Sequence, residues 1–208
     1  MSSIRAALVF LVPAFLVGCA STEITTFKDP EYGNKQYETI YVVTSGLNLA
    51  ERDLTEAKVC EAFSEFAINC IRDIEVFLPT RSYTGEEKAA TLRDLKIDAS
   101  LGIQLTTNYS DQTYIPQTSF TSGNSYDYGY SSSYSGTTYS IGGYAANTPV
   151  EEYQIVLIDT KTGQKALVAT GKTKGDGAVN TEGMRASLAE EIVATLMAED
   201  MLLVSEAE

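Results

Sequence analysis

The chain has no histidine and no tryptophan, and its 208 residues include only three cysteines and five prolines. Without histidine it can form neither a Ser-His-Asp triad nor a histidine-ligated metal site. A serine or thiol nucleophile would also lack its commonest activating base. Neither a G-x-S-x-G motif nor a calcium-loop spacing occurs. We therefore expect a protein that is not an enzyme and that uses no metal ion and no cofactor.

Positive charge is also scarce. Lysine and arginine number 15 against 28 aspartates and glutamates, which gives a formal net charge of -13. Binding to a phosphate backbone depends on clustered lysine and arginine, so we expect no nucleic acid partner. The hydrophobic content of 44% is ordinary for a globular protein and excludes disorder throughout the chain.

One segment nearly matches a nucleotide-binding loop. Residues 166–173 read ALVATGKT, with Ala166 in place of the first glycine of the motif. The motif needs glycine amides and a helix N-terminus to hold phosphate, whereas this segment has the pattern of a strand. We expect no nucleotide partner.

The N-terminus has the pattern of an export signal. Arg5 precedes an apolar run over residues 6–17, which is too short to span a bilayer as a stable helix. The run ends in Leu16-Val17-Gly18-Cys19, which resembles the lipobox of bacterial lipoproteins. The resemblance implies cleavage between Gly18 and Cys19, acylation of Cys19 and anchoring in the lipid bilayer. The alternative is an ordinary signal peptide that happens to end in cysteine.

Three parts of the chain follow from this hypothesis. Residues 1–18 are the signal peptide, 19–36 the acylated cysteine with a polar tether, and 37–208 a single domain. Ala20 stands where lipoproteins retained in the inner membrane usually have aspartate. The resemblance therefore implies the outer membrane, with the protein on its periplasmic face.

The domain alternates predicted strands and helices. Strands are predicted over 37–45, 71–78 and 99–109, and a hairpin over 152–159 and 166–174. Helices are predicted over 49–69, capped by Asn48, over 84–96, opened by the Thr84/Glu87 capping box, and after Asn180 or Thr181. The last helix has Met184, Leu188, Ile192 and Leu196 on one face. The order β-α-β-α-β-(insert)-β-β-α predicts an α/β (α+β) fold with a mixed sheet of about five strands.

Cys60 and Cys70 raise the question of a disulfide. If one helix runs from residue 49 to 69, the two cysteines lie about 15 Å apart along it, too far for a bridge. We therefore favour two buried free thiols. A helix that ends early, near Phe66, would favour the disulfide instead.

Residues 110–149 form an insert of different composition. They contain 9 Ser, 7 Tyr, 6 Thr and 5 Gly, and their only charged residues are Asp111 and Asp127. Three hypotheses remain open: a mobile, solvated loop; a recognition surface of tyrosines among small polar residues; or a hairpin that forms a membrane pore with other subunits. The pore needs an outward apolar band, for which the insert offers only Ile115, Phe120 and Ile141. The candidate partner-binding residues are Tyr126, Tyr128, Tyr130, Tyr134, Tyr139 and Tyr144.

Residues 153–165, YQIVLIDTKTGQK, resemble the strand, Asp-Thr-x-Thr-Gly turn and strand of a family of periplasmic lipoproteins. The fold of that family is like the amino-terminal domain of TolB, and its members include the curli-secretion lipoprotein and the outer-membrane activators of penicillin-binding proteins. Residues 52–56, Pro79, 82–87 and 97–99 are similar to uncharacterised lipoproteins of the same kind. The resemblance implies that the protein takes part in binding or assembly in the cell envelope and not in catalysis. The chain departs from the family in its short tether and its single insert.

These observations predict a membrane-anchored periplasmic lipoprotein that serves as a non-catalytic binding or assembly module. Its expected partners are the lipid bilayer, through acylated Cys19, and an envelope protein, and the sequence leaves its oligomeric state open. The alternative is a subunit of an oligomeric outer-membrane secretion pore that uses the tyrosine-rich insert as a membrane hairpin. A fold of this kind hosts many functions, so the fold does not decide between them.

Overall fold

The computed structural model describes residues 20–127, 132–176 and 179–204. The strands are β1 (Ala20–Lys28), β2 (Thr39–Ser45), β3 (Asn69–Arg72), β4 (Ala99–Ile115), β5 (Thr118–Asp127), β6 (Ser132–Ile141), β7 (Tyr144–Asp159) and β8 (Lys165–Gly175). The helices are α1 (Leu49–Ser64), the single turn α2 (Asp73–Val76), α3 (Gly85–Asp94) and α4 (Thr181–Ala198). A 3-10 turn covers Pro30–Tyr32. Gly18 and Cys19 lie outside the described residues.

Six strands form one mixed sheet in the order β1-β8-β7-β4-β2-β3. The ladders β1/β8, β8/β7 and β7/β4 are antiparallel, whereas β2 is parallel to both β4 and β3. Among the described residues, the remaining strands, β5 and β6, pair only with each other. The mixed α+β class is therefore confirmed, with six strands in the main sheet where about five were expected.

Helices α1 and α4 cover one face of the sheet. The predicted stripe of α4 is confirmed, since Met184, Leu188, Ile192 and Leu196 are all buried. It packs in one cluster with Phe63 of α1 and with the inward side chains of the central strands. Burial of each large aliphatic side chain contributes about 2 kcal/mol, so this face holds most of the apolar stabilisation.

Local capping residues fix the helix starts as predicted. Asn48 and Thr84 each form a reciprocal capping box, with Glu51 and Glu87 respectively. The Asn180 side chain accepts from the Gly183 N–H at the start of α4. Each such cap contributes about 1 kcal/mol to helix stability.

The turn between β7 and β8 is held by one buried carboxylate. Asp159 Oδ1 accepts from the backbone N–H groups of Lys161 and Thr162 at 2.9 Å each. Gly163 supplies the left-handed conformation, φ +68°, that ends the turn. The Asp-Thr-x-Thr-Gly segment is thus a self-bonded turn, and the near-match to a nucleotide-binding loop that follows it lies within β8.

The predicted tether over residues 19–36 is wrong. Ala20 to Lys28 form strand β1, which pairs along its whole length with β8 and adds an edge to the sheet. Ile24 packs against the core, and Thr22 Oγ1 contacts Thr173 Oγ1 and Ser187 Oγ at 2.9 Å. The segment is polar overall, but threonine and isoleucine favour strands when a sheet edge is available.

The prediction of free thiols is also wrong, because α1 ends at Ser64 rather than near residue 69. The chain reverses through Ala67, φ +57°, and Cys70 enters β3 beside the helix. The Cys60 and Cys70 Cα atoms are 5.2 Å apart and their sulfurs form a disulfide. The bridge joins the end of α1 to the edge strand β3.

Beyond Arg72, the strand predicted over 71–78 is a third error. β3 stops at Arg72 and the chain turns into α2 at Asp73. Asp73 is buried, where its carboxylate accepts from the Tyr41 hydroxyl and from Arg52 Nη2. These long-range contacts override the alternating pattern that favoured a strand.

Candidate functional site: a two-stranded arm

A two-stranded arm, residues 106–149, leaves the sheet at one end and contains the predicted insert. β4 pairs with β2 only as far as Gln104, and β7 pairs with β8 only from Val150 onward. Beyond these residues β4 and β7 pair with each other alone, as far as Ile115 and Tyr144. Most described residues of the insert thus lie in strands, which disfavours the loop among the three hypotheses left open by the sequence. The strand predicted to end at residue 109 continues to Ile115.

A bend divides the arm into two parts. Pro116 ends β4, and Gly142 and Gly143 lie opposite it with φ values of +94° and +78°. A Cβ at Gly142 would collide with the Pro116 carbonyl oxygen, so only glycine fits there. Beyond the bend, β5 and β6 continue as a hairpin with ten residues in each strand. At about 3.4 Å per residue, the outer hairpin is roughly 30 Å long, and the inner part, from residue 144 to 149 of β7, is roughly 20 Å long.

The two faces of the outer hairpin differ in chemistry near the bend. The cross-strand pairs Thr118/Ile141 and Phe120/Tyr139 lie on one face. Ser119 and Ser140 contact through their hydroxyls at 2.9 Å on the other face, and so do Thr121 and Thr138. The strand register therefore places Phe120 and Ile141 on the face opposite these two hydroxyl pairs.

The arm carries most of the large apolar groups that the described chain exposes on strands. The side chains of Tyr114, Phe120, Tyr139, Ile141 and Tyr144 are between 56 and 66% exposed. Among the predicted contact residues, Tyr139 and Tyr144 are therefore available at the surface. Tyr126 and Tyr134 lie in β5 and β6 by backbone register, opposite Ser133 and Ser125. Tyr128 and Tyr130 lie outside the described residues.

A buried ion pair holds the root of the arm to the body. Arg185 of α4 is 1% exposed, and it pairs with Glu151 of β7, two residues beyond the arm. Both side chains bond to the Tyr153 hydroxyl, which donates to Glu151 Oε2 at 2.6 Å and accepts from Arg185. Burial raises the pKa of Tyr153, so its hydroxyl remains protonated. The pair cannot be recognised from sequence, since 34 residues separate its members.

A second set of contacts covers the opposite side of the root. Lys172 of β8 donates to the Tyr109 hydroxyl at 2.9 Å and lies 3.2 Å from Glu152 Oε1. The hydrogen bond to Tyr109, followed by that to Glu152, raises the pKa of Lys172 to about 12. The arm is therefore fixed to the body on both faces of the sheet.

The start of β1 lies at the same end of the sheet as the root of the arm. Ala20 pairs with Gly175, and the neighbouring Lys174 pairs with Val150, where the arm begins. The first described residue is thus about two strands away from the arm. No helix among the described residues is both long and apolar enough to cross a bilayer.

Comparison with known proteins gives structural matches only. No protein-family model matches the chain, and no curated protein matches its sequence. The PelC dodecamer of Paraburkholderia phytofirmans matches with a TM-score of 0.50 at 11% identity, over 88% of this chain and 99% of the other. A lipoprotein of Neisseria meningitidis matches with a TM-score of 0.43 at 13% identity, over 77% and 98%. The first match shows that the two chains share a fold.

Proposed function

We propose that the protein is a lipid-anchored, non-catalytic assembly module of the bacterial envelope, which associates with further copies of itself through its arm. The observation that carries this proposal is the unpaired state of the arm. From residue 106 to 115 and from 144 to 149, each strand has one partner and one free edge, and the β5/β6 hairpin has two free edges among the described residues.

Free edges of this kind favour pairing with another strand. A two-stranded ribbon is marginally stable in water, and natural edges are usually protected by lysine, by bulges or by a covering element. The arm has no lysine or arginine in residues 106–149, and the side chains described there lie mostly in solvent. Edge-to-edge pairing between arms would satisfy the free N–H and C=O groups and cover the exposed apolar side chains.

Two further facts support self-association. The structurally similar PelC forms a dodecamer. Acylation at Cys19 would place the anchor one residue before β1, without a tether, so every copy would stand at the membrane in the same orientation. Molecules confined to one surface in one orientation meet at a high effective concentration.

The test compares the oligomeric mass of two full-length proteins extracted in detergent. In the shortened variant, residues 112–147 are replaced by Asn-Gly, which closes a hairpin between the register partners Asp111 and Thr148. We expect the native chain to form an oligomer and the shortened chain to be a monomer with an unchanged melting temperature. Thr121→Ala with Thr138→Ala is the control, because it changes side chains of the arm but leaves the backbone edges intact.

Two results would contradict this proposal. One is a native chain that runs as a monomer at micromolar concentration in detergent. The other is a shortened chain that forms the same oligomer as the native chain. Capture of cross-linked partners from cells then distinguishes self-association from binding to another envelope protein through the same edges.

A second candidate is a pore in which the outer hairpin enters the membrane. It is favoured by strands of ten residues and by the position of Phe120, Tyr139 and Ile141 on the face opposite the hydroxyl pairs Ser119/Ser140 and Thr121/Thr138. A membrane-spanning strand needs about 9–11 residues. The root of the arm and the start of β1 share one end of the sheet, so an anchor at Cys19 would direct the arm toward the bilayer.

Labelling of single cysteines distinguishes the two candidates. A polarity-sensitive fluorophore is attached at Phe120→Cys or at Thr121→Cys in liposomes. The pore predicts a blue-shifted emission at position 120 and a water-like emission at 121. Assembly outside the membrane predicts that neither probe responds to quenchers within the lipid. Cleavage of the arm by protease in intact membranes, together with a monomeric mass, would contradict the pore.

A further inference from the structure

A cavity of about 340 Å³ lies at one end of the sheet, lined by Arg52 of α1 and by residues on both sides of α3's N-cap, among them Phe77 and Lys88. It is at the edge where the parallel strands β2 and β3 end, next to α2 and the start of α3. Its floor is aromatic: Phe77 meets Tyr83 edge to face at 5.1 Å and Tyr41 at 6.1 Å. Crevices at the carboxyl ends of parallel strands are frequent ligand sites in open sheets.

Three cations line this cavity in a chain whose net charge is -13. They are Arg52, Arg81 and Lys88. Lys88 Nζ lies 4.9 Å above the Phe77 ring. Within the described part of the chain, no carboxylate is paired with the Arg81 guanidinium or the Lys88 ammonium. Like charges gathered in one cavity repel one another, so an anion between them would be stabilising.

The acidic groups of the cavity are already satisfied. Asp73 accepts from the Tyr41 hydroxyl with one oxygen and from Arg52 with the other, at 2.6 Å. Behind it, Glu56 accepts from the Thr44 N–H and from the Ile74 N–H. Burial raises the pKa of Glu56, against the opposing effect of the hydrogen bonds from Ile74 and Thr44. By contrast, Arg52 Nε is buried without a hydrogen-bond partner in the described structure.

The geometry points to a phosphate-binding site formed by Arg52, Arg81 and Lys88 over the Phe77/Tyr83 floor. A phosphate group suits three cations better than a carboxylate does, because it offers more acceptor oxygens, and a phosphate monoester also carries more charge. Leu78, 42% exposed, and Pro79 also line the cavity, and they offer contact for an apolar or glycerol part of the same ligand.

The position of the cavity bears on where the phosphate comes from. β4 runs parallel to β2 and continues into the arm, so the cavity lies at the same end of the sheet as the arm and the start of β1. If Cys19 is acylated, this end faces the bilayer and a phospholipid headgroup is the nearest phosphate. The site itself does not depend on the anchor; only the choice between a headgroup and a soluble phosphate ester does.

Calorimetric titration of the full-length protein in a nonionic detergent tests the site. The probes are glycerol 1-phosphate and the short-chain lipid dihexanoylphosphatidylglycerol, each with a titration into protein-free detergent. We expect binding of at least one probe, weakened at least about tenfold in Arg81→Gln with Lys88→Gln, which loses two charge-assisted contacts. Tighter binding of the lipid identifies a headgroup as the source, and equal or tighter binding of glycerol 1-phosphate identifies a soluble ester.

The matched control is Lys161→Gln with Lys165→Gln, which removes the same charge from the exposed β7–β8 turn. Its affinity should stay within about twofold of the native value, since screened charges at that distance contribute little. Melting temperatures establish that both variants are folded. Absence of binding by both probes would overturn the proposal, and so would an equal loss of affinity in the control variant.

Discussion

The body and the arm are both built largely of strands, but their side chains have different surroundings. The body buries a continuous cluster whose members range along the chain from Tyr32 to Leu202, and it also buries Arg185, Glu56 and Asp159 with their partners. In the arm, every side chain described from residue 111 to 145 is exposed or only partly buried. The body is therefore stabilised by its own packing, whereas the described side chains of the arm bury little apolar surface.

The largest effect is expected where the arm is rooted in the body. Arg185→Met leaves Glu151 buried without its cation, and loss of one partner of a buried pair costs about 3–5 kcal/mol. Urea unfolding of the full-length chain measures this loss. The double variant Arg185→Met with Glu151→Leu should recover most of the stability, because no charge remains buried. A loss below about 1 kcal/mol in the single variant would show that the pair is not buried as described.

The next largest loss of stability is expected on removal of the disulfide, which lies in the body. Cys60→Ser with Cys70→Ser opens a loop that spans ten residues, and we expect a loss of about 3 kcal/mol. Thermal melting with and without a thiol reductant measures it. The reductant should lower the melting temperature of the native chain and leave that of the variant unchanged. An unchanged native chain would contradict the bridge.

A smaller effect depends on pH and involves the turn at Asp159. Burial opposes ionisation there, but hydrogen bonds from Thr162 and Lys35 outweigh it and hold the pKa of Asp159 below its ordinary value. A carboxylate whose pKa is lower in the folded than in the unfolded protein stabilises the fold at any pH above the unfolded-state pKa. This contribution is lost as the pH falls through the folded-state pKa.

Asp159→Asn should therefore cost about 1–2 kcal/mol near neutral pH. The difference from the native chain should shrink as the pH falls below about 4. Unfolding in urea at a series of pH values measures both. Asp111→Asn is the matched control, since Asp111 lies exposed in the arm and should give no such dependence. A difference that stays constant with pH would contradict this role of Asp159.

The smallest effect on stability is expected in the arm itself. Phe120→Ser with Ile141→Ser should change the free energy of unfolding by less than about 0.5 kcal/mol, because both side chains are about 60% or more exposed. The same change should weaken oligomer formation or membrane insertion. Phe63→Ser in the body core is the contrasting variant and should cost several kcal/mol. A large loss of stability in the arm variant would show that the arm is already packed against the body.

Features of the body that depend on neighbouring residues could be predicted from sequence. The caps at Asn48, Thr84 and Asn180 use residues three positions apart, and the stripe of α4 repeats every fourth residue. The turn after Asp159 is closed by its own next three residues. Such local interactions have the same geometry in any fold, so the sequence pattern is sufficient to predict them.

Predictions failed where a distant segment decides the local structure. β1 forms because it pairs with the edge of β8. The contact between Thr22 and Thr173 joins residues that are 151 positions apart in the chain. Asp73 ends β3 because Tyr41 and Arg52 bind its carboxylate. The tyrosine-rich composition distinguishes the insert from the rest of the chain, but it does not predict which of its residues pair across strands. Serine, threonine and tyrosine suit a loop or an exposed strand equally well.

The sequence alone determined the class of fold, the helix starts, the β7–β8 turn and the N-terminal pattern that predicts an acylated Cys19, because each depends on residues close together in the chain. The tertiary structure decided the rest: the disulfide, the sixth strand, the rooted arm with its free edges, and the gathering of Arg52, Arg81 and Lys88 in one cavity. The physical reason is that these features depend on which surfaces meet after the chain has folded. Charge and hydrogen-bond partners that are separated by tens of residues leave no periodic signal in a sequence.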